Sequence, residues 1–123
     1  MIKCIEWLAG YCSEKIVPAD KAISAIKKGS RVFISTGCGE PQHLIRAMVS
    51  DTNLTDILIY QMISKTLAEY VSDESFLHRF SLKLFFISFA MRQAAFEGKI
   101  DYVPAYLSQI PELFASKTIG LDV

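Results

Sequence analysis

Apolar residues fall along this chain in two rhythms. Val32-Phe33-Ile34 and Ile57-Leu58-Ile59-Tyr60 are short continuous runs, the pattern of strands buried on both faces of a parallel sheet. Elsewhere the apolar positions recur every three or four residues, which is helical spacing. Ile2, Ile5, Trp7 and Leu8 predict a helix over residues 2–9. Ala22, Ile23 and Ile26 form the face of a second helix, opened by Pro18-Ala19-Asp20 and closed by Lys27-Lys28-Gly29. Proline and an acid suit a helix start, whereas cations followed by glycine suit its end. Leu44, Ile45, Met48 and Val49 mark a third helix after Pro41. Phe80, Leu82, Leu84 and Phe86 alternate, so a third strand is predicted over residues 80–86.

The remainder is weaker. Asp51-Thr52-Asn53 reads as a turn. Residues 61–79 lack a period and read as a loop with one turn of helix. Ser88 is the expected cap of a helix through Ala90, Met91, Ala94 and Ala95 that Gly98 stops. Residues 101–104 read as an extended link, because the residue before Pro104 avoids the helical region. Tyr106, Leu107, Ile110, Leu113 and Phe114 predict a last helix, bent or restarted at Pro111. Ile119-Gly120-Leu121-Asp122-Val123 looks like the approach to a buried strand. Strand, helix and strand over about thirty residues make a βαβ unit with a right-handed crossover. The expected fold is one α/β domain: a Rossmann-like open, mostly parallel sheet flanked by helices.

Composition narrows the setting. The chain has 123 residues, 51% of them hydrophobic and 21% charged, which is one globular domain with one core. Its 13 basic and 13 acidic residues cancel, leaving no electrostatic footprint for nucleic acid or an anionic membrane. Cys4, Cys12 and Cys38 are odd in number and form no C-x-x-C motif, so a reducing cytoplasmic setting is expected. Glu6 interrupts the short apolar start, against a signal peptide. The apolar segment 82–95 carries Lys83 and Arg92 and is too short and too charged to span a bilayer.

Candidate chemistry concentrates where the first strand ends, in Ser35-Thr36-Gly37-Cys38-Gly39-Glu40-Pro41-Gln42. Ligands of α/β proteins bind at the carboxyl ends of strands, and a glycine-rich turn into a helix start brings N–H groups to negative charge. The run is not a phosphate-binding P-loop, since no Gly-Lys-Ser/Thr follows. It lacks the third glycine of a dinucleotide fingerprint, and the second strand ends Ile59-Tyr60-Gln61 with no acid. A tight strand-to-helix connection explains the glycines equally well. Cys38 stands near a helix start that would stabilise a thiolate, but its nearest base is His43, and a small residue filling a tight loop is the simpler account. Glu40 suits the helix dipole, and it is also a candidate base or hydrogen-bonding group. Gln42 and the backbone N–H groups are candidate donors to a carbonyl oxygen or carboxylate. Arg92 is a lone cation in an apolar stretch; it is expected either to pair with Glu97 or Asp101 or to contact an anion. His43 and His78 are too far apart to suggest a metal site.

The run from Val32 to Ile45 resembles the glycine–glutamate–proline–glutamine loop of the acetyl-CoA hydrolase/transferase family, which includes the 4-hydroxybutyrate and butyrate CoA-transferases. Two further blocks are similar to that family: residues 85–104, through Arg92-Gln93-Ala94 and Glu97-Gly98-Lys99-Ile100-Asp101-Tyr102-Val103-Pro104, and Leu107-Ser108-Gln109-Ile110-Pro111-Glu112-Leu113-Phe114. Three ordered blocks over nearly the whole chain are far more specific than the glycines. Residues 61–79 match poorly.

The resemblance implies a CoA-transferase type of α/β domain that moves CoA between an acyl-CoA and a small carboxylic acid, usually in a dimer, with coenzyme A as acyl-CoA substrate and no metal. It implies a glutamate that attacks the thioester and then carries CoA as a glutamyl thioester. It implies that Gly37, Cys38, Gly39, Glu40, Pro41 and Gln42 help hold the acyl group or thioester oxygen; Arg92 joins them as a candidate substrate contact on the strength of its lone charge. The family's nucleophile belongs to a C-terminal half. Glu40 matches the loop glutamate instead, so residues 1–123 are expected to form the N-terminal part only, inactive alone and completed by a homo-oligomer or by that half. The competing readings are a non-catalytic module binding an acyl-CoA or a partner chain, and an isomerase or phosphosugar-binding domain of related architecture.

Overall fold

Among the described residues four strands make one sheet: β1 (Arg31–Ile34), β2 (Ile57–Gln61), β3 (Phe80–Leu84) and β4 (Asp101–Tyr102). The computed structural model describes Gly10 and residues 12–123; the helix predicted over residues 2–9 lies outside the described residues. Every neighbouring pair is parallel and the spatial order is the chain order. Helix α1 (Ala19–Ile23) precedes β1, α2 (Gln42–Ser50), α3 (Glu74–Leu77) and α4 (Arg92–Phe96) follow β1, β2 and β3 in turn, and α5 (Ile110–Ala115) comes after β4. The α/β architecture with an open parallel sheet is therefore as expected. Among the described residues, no helix is long and apolar enough to cross a membrane.

Strand alternation sorts the core into two layers. Val32 and Ile34 of β1, Ile57 and Ile59 of β2, and Phe80, Leu82 and Leu84 of β3 face one side, where Ile45, Met48, Phe76, Met91 and Ala94 cover them. Right-handed crossovers that always step in the same direction put successive connections on that one face. The intervening positions Phe33, Leu58 and Tyr60, with Phe85, face the other side and meet Ile110, Leu113 and Phe114 of α5. The Phe114 ring meets Phe33 at 5.2 Å and Phe85 at 6.1 Å, both edge-on.

Several elements depart from the periodic reading. The second predicted helix ends at Ile23, six residues before Gly29, whose φ of 81° makes the turn into β1. The segment 61–79 holds a 3-10 turn, Leu67–Glu69, and α3, capped by the Asp73 carboxylate accepting from Ser75 N–H at 2.8 Å. It anchors Leu67, Val71 and Phe76 in the core, too few residues per element to show a period. Helix α4 begins after a 3-10 turn, Phe89–Met91, and Ser88 gives it no side-chain cap; the hydroxyl donates instead to Ser64 O at 3.3 Å. The predicted third strand stops at Leu84. The extended link contains β4, a two-residue strand on the outer edge of β3. Both of its residues are exposed, so no apolar pattern announced it. A Lys83–Asp101 ion pair of 3.2 Å spans that edge.

The last residues run extended along the outer edge of β1. Phe33 N–H donates to Val123 O at 2.8 Å, Val123 N–H donates to Arg31 O at 3.2 Å, and Arg31 N–H donates to the Asp122 carboxylate at 2.8 Å. An apolar trough lined by Ile23, Ile26, Phe33, Leu44, Met48 and Val123 follows the same edge.

Candidate functional site

The carboxyl ends of β1 and β2 lie side by side, with Ile34 in register with Gln61. The two loops that leave these ends are therefore neighbours, and side chains lock them together. The Thr36 hydroxyl donates to Ile63 O at 2.5 Å and accepts from Ile63 N–H at 3.0 Å. The Gln61 amide nitrogen donates to Ser35 O at 3.1 Å and to Glu40 Oε1 at 2.9 Å. Glu40 Oε1 also accepts from Lys65 N–H at 3.2 Å and Thr66 N–H at 3.3 Å. Glu40 Oε2 accepts from Thr66 N–H at 3.2 Å and the Thr66 hydroxyl at 2.9 Å.

This geometry gives Glu40 a structural place. Its side chain is buried, and both carboxylate oxygens are occupied by donors from residues 61–66. Burial pushes its pKa up, but the hydrogen bonds from Gln61, Thr66 and the Lys65 and Thr66 backbone outweigh that and hold it below its ordinary value. A carboxylate so placed stays ionised and stays put. Gln61 Oε1 and Ser64 Oγ, both buried, have no hydrogen-bond partner among the described residues.

The glycine run folds as a 3-10 turn, Gly37–Gly39, with Gly39 N–H donating to Thr36 O and Glu40 N–H to Gly37 O. Gly37 has φ of 61° and open space where a side chain would stand, so backbone shape explains that glycine. Gly37, Cys38, Glu40 and Gln42 line one open hollow of about 550 Å³, which Lys65 closes on the side of the second loop. That size suits a small ligand or the acyl end of a larger one. Cys38 is exposed there. Pro41 instead faces the apolar trough along β1, and Gly39 stands behind the turn, 3.9 Å from Ser35 Cβ at its closest. His43 and His78 are exposed, and among the described residues no three His, Cys, Asp or Glu cluster to hold a metal ion.

Arg92 is not brought to this hollow. It lines a separate one with Ile87, Ala95 and Phe96, and its guanidinium lies 5.5 Å from the centre of the exposed Phe89 ring. The two acids expected to pair with it are taken: Glu97 by Lys99 at 2.6 Å and Asp101 by Lys83 at 3.2 Å. The cation is exposed and lies along the surface. Lys65, Gln61 and Thr66 were absent from the residues singled out in the sequence. The polar Gln61 closing an apolar strand was the signal available, because a buried amide at a strand end must find partners in the neighbouring loop.

A model of the acetyl-CoA hydrolase/transferase N-terminal domain matches residues 8–122. The chain belongs to this family. It is 33% identical over 120 residues to the 4-hydroxybutyrate coenzyme A transferase of Clostridium kluyveri, covering 97% of this chain and 28% of that protein. It is 35% identical over 107 residues to the succinyl-CoA:acetate/propanoyl-CoA:succinate CoA transferase of Fasciola hepatica, covering 85% of this chain and 22% of that protein. Among solved structures, RipA from Yersinia pestis shares the fold with a TM-score of 0.75 at 23% identity, covering 89% of this chain and 28% of that one. This acetyl-CoA hydrolase/transferase domain thus spans less than a third of the length of each.

Proposed function

We propose that this domain forms the substrate-side wall of a CoA-transferase that moves CoA between an acyl-CoA (acetyl-, butyryl- or 4-hydroxybutyryl-CoA) and a free carboxylate in the cytoplasm. The observation that carries the reading is the hollow lined by Gly37, Cys38, Glu40 and Gln42, in a chain whose relatives are named as CoA transferases. In the proposed reaction a glutamate outside these 123 residues attacks the acyl-CoA carbonyl, forming an acyl-glutamyl anhydride and releasing CoA thiolate. The thiolate then attacks the glutamyl carbonyl, giving glutamyl-CoA and freeing the first acid as its carboxylate. The incoming carboxylate reverses both steps and leaves as the new acyl-CoA.

Each step develops negative charge on a carbonyl oxygen, and fixed donors aimed at that oxygen lower its barrier. The loop of Gly37, Cys38, Gly39, Glu40, Pro41 and Gln42 contributes the Gln42 side-chain amide and the N–H groups of Gly37 and Cys38, since those of Gly39, Glu40 and Gln42 are bonded within the turn. Glu40 is not the nucleophile in this scheme, because its carboxylate is buried and shared among Gln61, Lys65 and Thr66. Arg92, with no ion pair among the described residues, is a candidate contact for a more distant anionic group of CoA. The site is completed by a second copy or by a complementary half, which would cover the exposed Phe89 and Phe96.

The test is exchange of CoA from butyryl-CoA to isotopically labelled acetate by the protein that carries this domain, with labelled acetyl-CoA as the expected product. Hydrolysis without exchange, or no turnover with acetyl-, butyryl- or 4-hydroxybutyryl-CoA, overturns the reading. Acyl-CoA binding without exchange by that protein would favour the second reading, a non-catalytic acyl-CoA-binding module.

A further inference from the structure

We infer that Lys65 is a binding residue of the same hollow, taking the negative charge of an oxyanion group on the ligand, either the carboxylate of the acid or a phosphate of CoA. The inference rests on the hollow's proposed role in CoA transfer. Lys65 sits on the loop after β2, not on the glycine run, yet it lines the same hollow as Gly37, Cys38 and Gln42. It supplies the one cation among the lining residues. The one acid there among the described residues, Glu40, stays ionised, but four donor groups already occupy its two oxygens and leave it no open position for the lysine. The other lining residues are Lys65, Gln42, Gly37 and Cys38, so no second carboxylate competes for the lysine.

The position of Lys65 is fixed by its backbone. Its own N–H donates to Glu40 Oε1 at 3.2 Å, and the next residue, Thr66, holds both carboxylate oxygens. Ile63, two residues before, is tied to Thr36 through both its N–H and its carbonyl. The loop on either side of Lys65 is therefore anchored to the glycine loop, while Lys65 itself is exposed at the hollow. A lysine is a compact point charge on a flexible stem and needs such a fixed base to bind with orientation. Among the described residues Lys65 makes no ion pair, so binding an anion breaks none.

The experiment is a chemical-shift titration of the ¹⁵N-labelled protein that carries this domain, with sodium butyrate in one series and free coenzyme A in another. The unsubstituted chain is expected to shift at Gly37, Cys38 and Lys65, and the series that does so more strongly identifies the oxyanion as carboxylate or phosphate. Lys65→Met is expected to weaken that series about tenfold, equivalent to about 1.4 kcal/mol, and Lys65→Arg to keep most of it, with the melting temperature of both unchanged. Lys65→Met that binds both ligands as the unsubstituted chain does overturns the inference and leaves the proposed site standing. An unsubstituted protein, complete with the rest of its chain, whose glycine loop responds to neither ligand overturns the proposed site and the role of Lys65 with it.

Discussion

The bonds around Glu40 predict a large and specific loss of stability on removing its carboxylate. Glu40→Ala deletes the acceptor for Gln61 Nε2, Lys65 N–H, Thr66 N–H and the Thr66 hydroxyl. Gln61 keeps Ser35 O as a partner, and the Lys65 N–H bond is only part-buried. Thr66 is 3% exposed and has neither escape. Two buried donors left unmade, at about 1–3 kcal/mol each, make the expected cost about 3 kcal/mol, a large share of a domain's usual ~5–15 kcal/mol. Glu40→Gln keeps one acceptor oxygen and turns an NH₂ toward a donor, so its cost should be about half as large. Urea unfolding measures both, and amide exchange should rise first at Thr66. The pH dependence has a definite sign. Because the folded pKa of Glu40 lies below its ordinary 4.5, its contribution is present above 4.5 and is lost as pH falls through the folded value. Asp73, held low by the Ser75 side chain and backbone, and Glu97, held low by Lys99 and Gln93, lose theirs in the same acid direction. Glu40→Gln should therefore flatten part of the acid limb. A cost below about 1 kcal/mol for Glu40→Ala, with an unchanged acid limb, would refute the view that this carboxylate joins the loops.

Three further outcomes are expected. Gly37→Ala should cost about 1–2 kcal/mol in a thermal melt because φ is 61° there, whereas Gly39→Ala, meeting only Ser35 Cβ at 3.9 Å with no positive φ, should be near neutral; equal costs would refute the assignment. Phe76→Ala should cost about 3–5 kcal/mol in urea, since that ring is fully buried and stacks on Phe80 at 4.8 Å and Tyr70 at 5.9 Å. Phe89 and Phe96 are 85% and 90% exposed, so sedimentation velocity should show the chain self-associating and the double variant Phe89→Glu with Phe96→Glu largely monomeric; a monomer before substitution would refute that surface as sticky.

The fold was legible where burial is two-sided and continuous. Val32-Phe33-Ile34 and Ile57-Leu58-Ile59-Tyr60 have no polar position to mislead, and both are strands. Helix α2 was legible because its apolar stripe runs over nine residues. The short elements were not. Helix α3 has four residues and β4 has two, less than one period of any pattern, and what holds them is tertiary: Phe76 under the sheet, and ladder bonds from β4 to an exposed edge of β3. The expected Arg92 ion pairs failed for a related reason. Sequence proximity named Glu97 and Asp101, but α4 ends at Phe96 and the chain turns at Gly98, so those acids meet Lys99 and Lys83 instead.

The site divides along the same line. The glycine loop announces itself because positive φ at Gly37 leaves a trace in composition. Its partner loop does not, because nothing in Ser64-Lys65-Thr66 has to be special. Thr66 serves through an ordinary N–H and hydroxyl, and Lys65 through its backbone, at a separation of about 25 residues from Glu40. What makes them a unit is the parallel register that sets Ile34 beside Gln61. A one-residue slip of that register would turn Gln61 to the opposite face, removing its bonds to Ser35 and Glu40 together. The sheet core, through Val32, Ile34, Ile57 and Ile59, therefore determines the geometry of the hollow, and the side chains that line it inherit their positions from a packing problem solved elsewhere.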